Sequence, residues 1–463
     1  MADSFDVIVI GSGPGGYVTA IRASQLGLKT AIVERTELGG ICLNWGCIPT
    51  KALLKSGEMY EHLGHLGDYG LSAENRAFDF GAVIQRSRKV AAQLNAGVAY
   101  LMKKHKIEVV RGSARLEAGT PAPIVIAGQR KLSAKHVILA TGARARTMPA
   151  IGLEPDGDRI WTYREALVPK TAPKHLVVVG SGAIGMEFAS FYRALGSEVT
   201  VVEMLARILP VEDEEISAAA QKAFEKRGIQ FRVLASVKSL AKTKSGVALE
   251  IEAGGKSETL AADVAIVAVG IVGNVEEMGL EALGVKIDRS HIVTDGHGAT
   301  GVANLYAIGD VAGPPWLAHK ASHEGVHCIE HIAGLPSDNL NSPIPGCTYA
   351  TPQIASVGLT EAQAKEQGLE PKVGRFPFRV NGKAIAAGET DGFVKTVFDG
   401  RTGALIGAHM IGHEVTEMIQ GYVLAMTLEA TEAELHATVF PHPTMSEAMH
   451  ESALDAYGKV LHL

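Results

Sequence analysis

The 463-residue chain is poor in cysteine, with four, and in tryptophan, with three, and it has no extended basic block. Each scarcity excludes something. So few cysteines in so long a chain cannot form the framework of a disulfide-stapled secreted domain, and they point to a reducing compartment. There a close cysteine pair is more often catalytic or metal-binding than structural. A formal net charge of −6 without a basic stripe argues against a nucleic-acid partner. No apolar run reaches the length of a membrane span. Val7 to Ile21 is interrupted by glycines, and Pro343, Pro345 and Pro352 break the other long charge-free stretch. The start, MADSFDVIVIG, enters a strand-like run without an apolar signal core or Arg-rich presequence. The expectation is a soluble, cytoplasmic protein with no membrane partner. Glycine, by contrast, is plentiful at 52 residues. The length implies roughly two to four domains.

The glycines are patterned. The run Phe5 to Ile10 leads into GSGPGG, with Gly11, Gly13 and Gly16 at GxGxxG spacing, and the next strand-like stretch ends at Glu34. The first glycine permits a tight turn, the second admits a pyrophosphate to the backbone, and the third lets helix and strand pack closely. The helix N-terminus then faces the phosphates, and the terminal acid can bind ribose hydroxyls. One such motif is weak evidence. It recurs, however: HLVVV leads into GSGAIG, with Gly180, Gly182 and Gly185, and a second strand ends at Glu203. In both copies the first glycine and the acid are 23 positions apart (34 − 11 and 203 − 180). The repetition predicts two dinucleotide sites. Glu203 would repel a 2′-phosphate and accept hydrogen bonds from a free 2′-hydroxyl, which favours NAD over NADP; Arg207 comes four positions later.

Two further strand-to-turn stretches, Val137 to Ala143 and Thr300 to Asp310, suit the first nucleotide domain, which the second would then interrupt. From about Thr348 the texture changes to strands (FVKTVFD, ALIGAHMIG) followed by helices near 414–430 and after Pro443. The expected class is α/β: two Rossmann-like dinucleotide-binding domains with a C-terminal α+β domain. The expected boundaries are 1–149, 150–275, 276–346 completing the first domain, and 347–463.

Cys42 and Cys47 lie in GGICLNWGCIPTK. Their spacing is not that of a zinc knuckle, and no second close pair completes four ligands, so no metal is expected. Cys328 and Cys347 read as small buried hydrophobes. In a regular helix, residues five apart have Cα atoms about 8 to 9 Å apart, whereas a disulfide tolerates at most about 7 Å. The pair therefore needs distorted backbone, which Gly46 permits and a helix beginning near Pro49 would explain. Such a start, with Lys51 in the first turn, favours a Cys47 thiolate. A constrained, thiolate-capable pair suits reversible dithiol–disulfide exchange.

GGICLNWGCIPTK, after one nucleotide motif and before a second, resembles the redox-active disulfide signature of the class I pyridine nucleotide-disulfide oxidoreductases. The resemblance extends over essentially the whole chain. GDVAGPPWLAHKASHEG (309–325) and HPTMSE (442–447) are similar to the members that oxidise dihydrolipoamide. It implies that the first nucleotide is FAD, held by Gly11, Gly13, Gly16 and Glu34, with Lys51 near the flavin ring. Ala114, Thr141 and Gly142 would lie near the cofactor, Asp310 at its ribityl chain and Ala318 at the isoalloxazine. The second would be NAD, contacted by Gly180, Gly182, Gly185, Glu203, Val237 and Gly270, with Glu187 near the nicotinamide. Cys42 would exchange with substrate and Cys47 would face the flavin.

A dithiol must lose a proton before its sulfur can attack, and histidine is the usual base. On spacing alone, His442 and Glu447 could be an imidazole and an unrelated acid at a helix start. The resemblance makes them base and orienter, serving a partner subunit's disulfide in a homodimer. It implies oxidation of protein-bound dihydrolipoamide with reduction of NAD, within 2-oxo acid dehydrogenase or glycine cleavage complexes. Lipoyl domains and an acyltransferase core would be partners. VGIVGN (269–274) departs from the G-R-x-P-N often found at this turn, and Trp45 fills a position more often smaller and aliphatic. A glutathione reductase-like enzyme is disfavoured by Glu203, and a mercuric reductase by the ending KVLHL. A transhydrogenase-like relative would lack one of the two thiols. A non-catalytic flavoprotein scaffold is the alternative of another class.

Overall fold

The computed structural model describes residues 3–336 and 342–463. The chain forms two compact units. One comprises Met1–Leu53, Gly81–Arg146 and Gly270–Asn341; the other comprises Leu54–Phe80, Thr147–Val269 and Ser342–Leu463.

The first unit is built on a seven-stranded sheet. Its parallel part runs Glu108–Arg111, Thr30–Glu34, Asp3–Ile10, Arg130–Leu139 and Leu305–Ala307, and two antiparallel strands, Ile124–Ala127 and Ala114–Glu117, extend the far edge. Parallel strands linked through helices are covered on both faces and so read as continuous apolar runs. DVIVI shows the consequence. Ile8 and Ile10 pack with Val33, Val137 and Leu139 on one face, whereas Val7 and Val9 pack with Ile32, Ile138, Val98 and Ile329 on the other. That alternation is the period-two geometry of a strand. Helices Pro14–Gln25 and Ala318–Ile332 belong to this unit, as does Phe80–Lys104 from Gly81 on. A short ribbon, Ala143–Ala145 against Ile271–Gly273, joins its second and third segments.

The second unit repeats the architecture around an all-parallel sheet in the order Ile229–Arg232, Glu198–Val202, His175–Val179, Val264–Val267, Ile160–Trp161. A three-stranded antiparallel sheet, Ala235–Lys242, Val247–Ala253 and Lys256–Ala262, shares its apolar core. The C-terminal part is a five-stranded antiparallel sheet in the order Gly346–Thr348, Gln353–Gly358, Leu405–Gly412, Phe393–Asp399, Pro371–Pro377. Helix Val415–Thr427 lies where a helix was expected near 414–430. A further helix, Glu432–Ala437, follows it and begins with a capping box of Thr431 and Glu434. The last helix, Glu447–Asp455, lies after Pro443 as expected.

Among the described residues, no helix is long and apolar enough to cross a membrane. Nor is any group of three or more His, Cys, Asp or Glu side chains placed to hold a metal ion.

Candidate active site

Each glycine motif closes the same turn. Gly11 and Gly180 both have φ +101°, a left-handed value that favours glycine. A Cβ on either would stand 2.2 Å from the Ala140 carbonyl or 2.4 Å from that of Ala268. A Cβ on Gly16 would fall 1.9 Å from the Gly11 carbonyl, and one on Gly185 2.1 Å from that of Gly180. Those four positions are closed by backbone. Gly13 and Gly182 are different, because a Cβ there would meet nothing within 4 Å. Both are the N-caps of helices whose first turns carry no acidic residue. The donor end of each helix therefore opens onto clear space, which fits a pyrophosphate.

The terminal acids are held alike. Ser12 donates to Glu34 Oε2 from its N–H (2.9 Å) and its hydroxyl (2.6 Å), and the Thr36 N–H donates to Oε1 at 2.9 Å. Ser181 donates to Glu203 Oε2 from its N–H (3.0 Å) and hydroxyl (2.6 Å), and the Leu205 N–H donates to Oε1 at 2.8 Å. Each buried carboxylate is thus oriented as an acceptor beside its glycine turn. Sequence reasoning singled out the acids and passed over the serines, although Ser12 and Ser181 occupy the same place in both motifs.

The cysteine stretch folds as two helices separated by one residue. Gly40–Trp45 carries Cys42, Gly46 breaks the chain with φ −144° and ψ −113°, and Cys47 opens the helix Cys47–His62. The helix therefore starts two residues before the expected Pro49, and Cys47 stands in its first turn. Both cysteines are thiols in this structure, and their side chains are hydrogen-bonded to one another. That hydrogen bond, burial and the negative charge available to Cys47 all push the Cys42 thiol up, against the opposing cation of Lys51. Cys42 is thus held in its protonated form beside Cys47. Asp310 adds to the effect on Cys42, so Cys42, Cys47, Lys51 and Asp310 share one electrostatic neighbourhood.

Burial raises the Asp310 carboxyl to about 6, with Lys320 opposing and Glu324 reinforcing the shift. Lys320 and Glu324 are paired at 2.9 Å, and Glu324 accepts the Gly309 N–H at 2.7 Å. Ala318 opens the helix that carries both. Thr141 and Gly142 are tied down by Asn274, the last residue of VGIVGN. The Asn274 side chain donates to the Thr141 carbonyl (2.9 Å), its N–H donates to the Gly142 carbonyl (3.0 Å), and the Thr141 hydroxyl donates to the Asn274 carbonyl (2.9 Å). Ala114 begins an edge strand and is half-buried.

In the second unit Glu187 is buried and accepts the Tyr349 N–H at 3.0 Å. Val237 sits half-buried at a bulge in its strand. Gly270 falls in the first unit, where its carbonyl accepts the Arg146 N–H at 2.9 Å. Of the other cysteines, Cys328 is fully buried. Cys347 departs from the expectation: it is half-buried and hydrogen-bonded to Tyr349.

His442 Nδ1 lies 2.9 Å from Glu447 Oε1, and the Thr444 N–H donates to Oε2 at 2.9 Å. Burial raises the Glu447 carboxyl, but the Thr444 N–H and His442 together hold it below the usual range. As the first residue of the helix Glu447–Asp455, the carboxylate also faces the positive end of that helix. With Nδ1 engaged, Nε2 is the nitrogen left to take a proton. The His442 side chain is 77% exposed, so it projects from its own chain.

Residues 5–325 match the pyridine nucleotide-disulphide oxidoreductase family, and residues 344–453 match that family's dimerisation domain. The chain is 58% identical to a dihydrolipoyl dehydrogenase of Rhizobium etli and 56% identical to one of Zymomonas mobilis, with both chains covered in full in each case. The dihydrolipoyl dehydrogenase of Bacillus subtilis is 44% identical, again over the full length of both. Among solved structures, LpdA from Mycobacterium tuberculosis is similar with a TM-score of 0.89 at 27% identity, over 97% of this chain and 99% of that one. The HOCl-induced flavoprotein disulfide reductase RclA from Escherichia coli has a TM-score of 0.85 at 25% identity, with the same coverage.

Proposed function

This chain belongs to the pyridine nucleotide-disulphide oxidoreductases, and we propose that it oxidises protein-bound dihydrolipoamide to lipoamide, with NAD as the final acceptor. The observation that carries the reading is the Cys42–Cys47 pair, hydrogen-bonded across a helix break beside Lys51 and Asp310. Full-length identity to relatives named dihydrolipoyl dehydrogenase supports the choice of substrate.

The reaction begins with Cys42 and Cys47 joined as a disulfide. His442, oriented by Glu447, takes a proton from a substrate thiol, and the resulting thiolate attacks the Cys42 sulfur. The Cys42–Cys47 bond breaks and Cys47 leaves as a thiolate, stabilised by its place in the first turn of its helix. The second substrate thiol displaces Cys42, and lipoamide departs with its two sulfurs joined. Two electrons now rest on the cysteine pair. FAD and NAD, when bound, carry those electrons onward as a flavin reduction and a hydride transfer. Gly11, Gly13, Gly16, Glu34, Lys51, Ala114, Thr141, Gly142, Asp310 and Ala318 would hold the first. Gly180, Gly182, Gly185, Glu187, Glu203, Val237 and Gly270 would hold the second. We assign 1–149 with 276–346 to the flavin domain, 150–275 to the nicotinamide domain and 347–463 to the interface.

The C-terminal region matches a dimerisation domain, which supports a homodimer in which His442 serves the disulfide of the partner subunit. Association with lipoyl domains and an acyltransferase core, in the cytoplasm, belongs to the same reading. A substrate panel tests it. Purified protein should reduce NAD with dihydrolipoamide and should leave glutathione disulfide with NADPH unreacted. A yellow protein inert towards dihydrolipoamide would instead indicate a scaffold subunit.

A further inference from the structure

The mechanism gives Trp45 no role, and the helix that carries Cys42 is short. Gly40–Trp45 is a six-residue helix, well below the ~12–15 residues at which isolated helices persist in water. Its N-cap is Gly39, which has no side chain to offer, and it stops at Gly46. The Asn44 side chain ties it internally, donating to the Leu38 and Gly40 carbonyls at 2.8 and 2.9 Å, and the long helix Phe80–Lys104 braces it from outside. From there Asn95 donates to the Leu38 carbonyl at 2.7 Å and to Asn44 Oδ1 at 3.3 Å. Two turns earlier, Arg88 donates from its guanidinium to the Asn44 carbonyl, and its guanidinium carbon stands 4.7 Å from the centre of the Trp45 ring.

Asn44 and Trp45 are two of the four residues between the cysteines. The Asn44 carbonyl belongs to the last turn of the short helix, where no intrahelical N–H can reach. A cation placed there also complements the negative end of the helix, and the Trp45 face offers it a second attraction. One guanidinium therefore grips both the backbone and a side chain of the segment that separates the thiols.

We propose that Arg88 and Trp45 form a clamp that presets the Cys42–Cys47 segment for disulfide closure, so that both are positioning residues of the redox couple. The proposal rests on the reading of Cys42 and Cys47 as that couple. Closure confines the two Cβ atoms to about 3.8 Å. If the segment must first be ordered, each thiol presents a lower effective concentration to the other, and the disulfide becomes easier to reduce. A segment held by Arg88 and Trp45 has already met that ordering cost.

The test is an equilibrium with dithiothreitol, run on the flavin-loaded protein. Cys42 and Cys47 lose two protons and two electrons as their S–S bond forms, and oxidised dithiothreitol gains both as its own S–S bond breaks. The oxidised fraction is read by alkylating the remaining thiols and weighing the protein. Arg88→Met and Trp45→Leu should each shift the equilibrium towards the dithiol by about tenfold, which corresponds to about 30 mV for a two-electron couple. Arg88→Lys keeps a cation and Trp45→Phe keeps a ring, so each should recover most of the native equilibrium. If Arg88→Met unfolds, Trp45→Leu and Trp45→Phe decide the matter alone. Equilibrium constants within twofold of the native value, alongside a lowered denaturation midpoint, would overturn the clamp and leave the pair a structural brace. A native protein that forms no Cys42–Cys47 disulfide in any buffer would overturn the redox reading, and the clamp with it.

Discussion

Cys42 and Cys47 differ because of where each lies relative to one break in the backbone. Cys47 opens a helix, while Cys42 lies half-buried in the preceding one with its thiol pushed up by its neighbour. His442 gains its role from a single carboxylate that engages Nδ1. His442→Gln should lower turnover of dihydrolipoamide by about 10²- to 10⁴-fold, the usual worth of a general base, with NAD affinity unchanged by titration. Asp310 supports a pH prediction. Its carboxyl rises in the folded chain from 3.8 to about 6, so its contribution to stability is fully present below pH 3.8 and is lost as pH rises through about 6. Asp310→Asn in the cofactor-free protein should therefore remove that loss. Urea midpoints should show a gain of up to about 3 kcal/mol above pH 6 and almost none near pH 4. A variant equally stable at both pH values relative to the native chain would contradict this.

Among the elements, the strand Phe393–Asp399 and the helix Glu214–Lys226 are joined by buried charge. Lys395, with its side chain only 2% exposed, meets Asp213 at 3.0 Å, Glu215 at 2.7 Å and Glu361 at 3.1 Å. Arg375 binds Glu215 and Glu361 from the adjacent strand. Removing one member of such a cluster strands the others, which typically costs about 3–5 kcal/mol. Lys395→Met should lose that much in chemical denaturation at pH 7. Hydrogen bonding to Arg375, followed by Lys395, lowers the Glu215 carboxyl to about 2. Its share of stability is present above pH 4.5 and lost as pH falls towards 2, and solvent screening of this partly exposed group keeps that share small. A Lys395→Met protein as stable as the native one would show that the cluster does not hold these elements together. No local pattern hints at this: FVKTVFD reads as an ordinary strand, and only folding brings a lysine at 395 to acids at 213, 215 and 361.

At the scale of the whole molecule, the C-terminal region leaves large apolar side chains in the open. Leu424 is 56% exposed, Leu428 72% and Val439 91%. In a dimerisation domain such side chains await a second copy. Leu424 and Leu428 are four residues apart and share a helical face. On the proposed shared site, the double variant Leu424→Glu, Leu428→Glu should sediment as a monomer and lose at least about tenfold in dihydrolipoamide turnover, because His442 would be parted from the partner subunit's disulfide. A monomer with full activity would refute the shared site.

Local chemistry was legible in the residues themselves. Gly16 and Gly185 each meet the carbonyl of the glycine five positions earlier, and Gly11 and Gly180 each take a left-handed φ of +101°, constraints of the turn itself that leave their mark at fixed spacing. Glu34 and Glu203 were legible from their repeated distance to the glycines, and the parallel strands from the continuous apolar runs that burial on both faces writes. What only the tertiary structure decided lies between segments distant along the chain. Asn274 holding Thr141, Arg88 covering Trp45 and Lys395 drawing in three acids are pairings set by how elements pack. No local spacing encodes them, because their partners lie from 34 to 182 positions away.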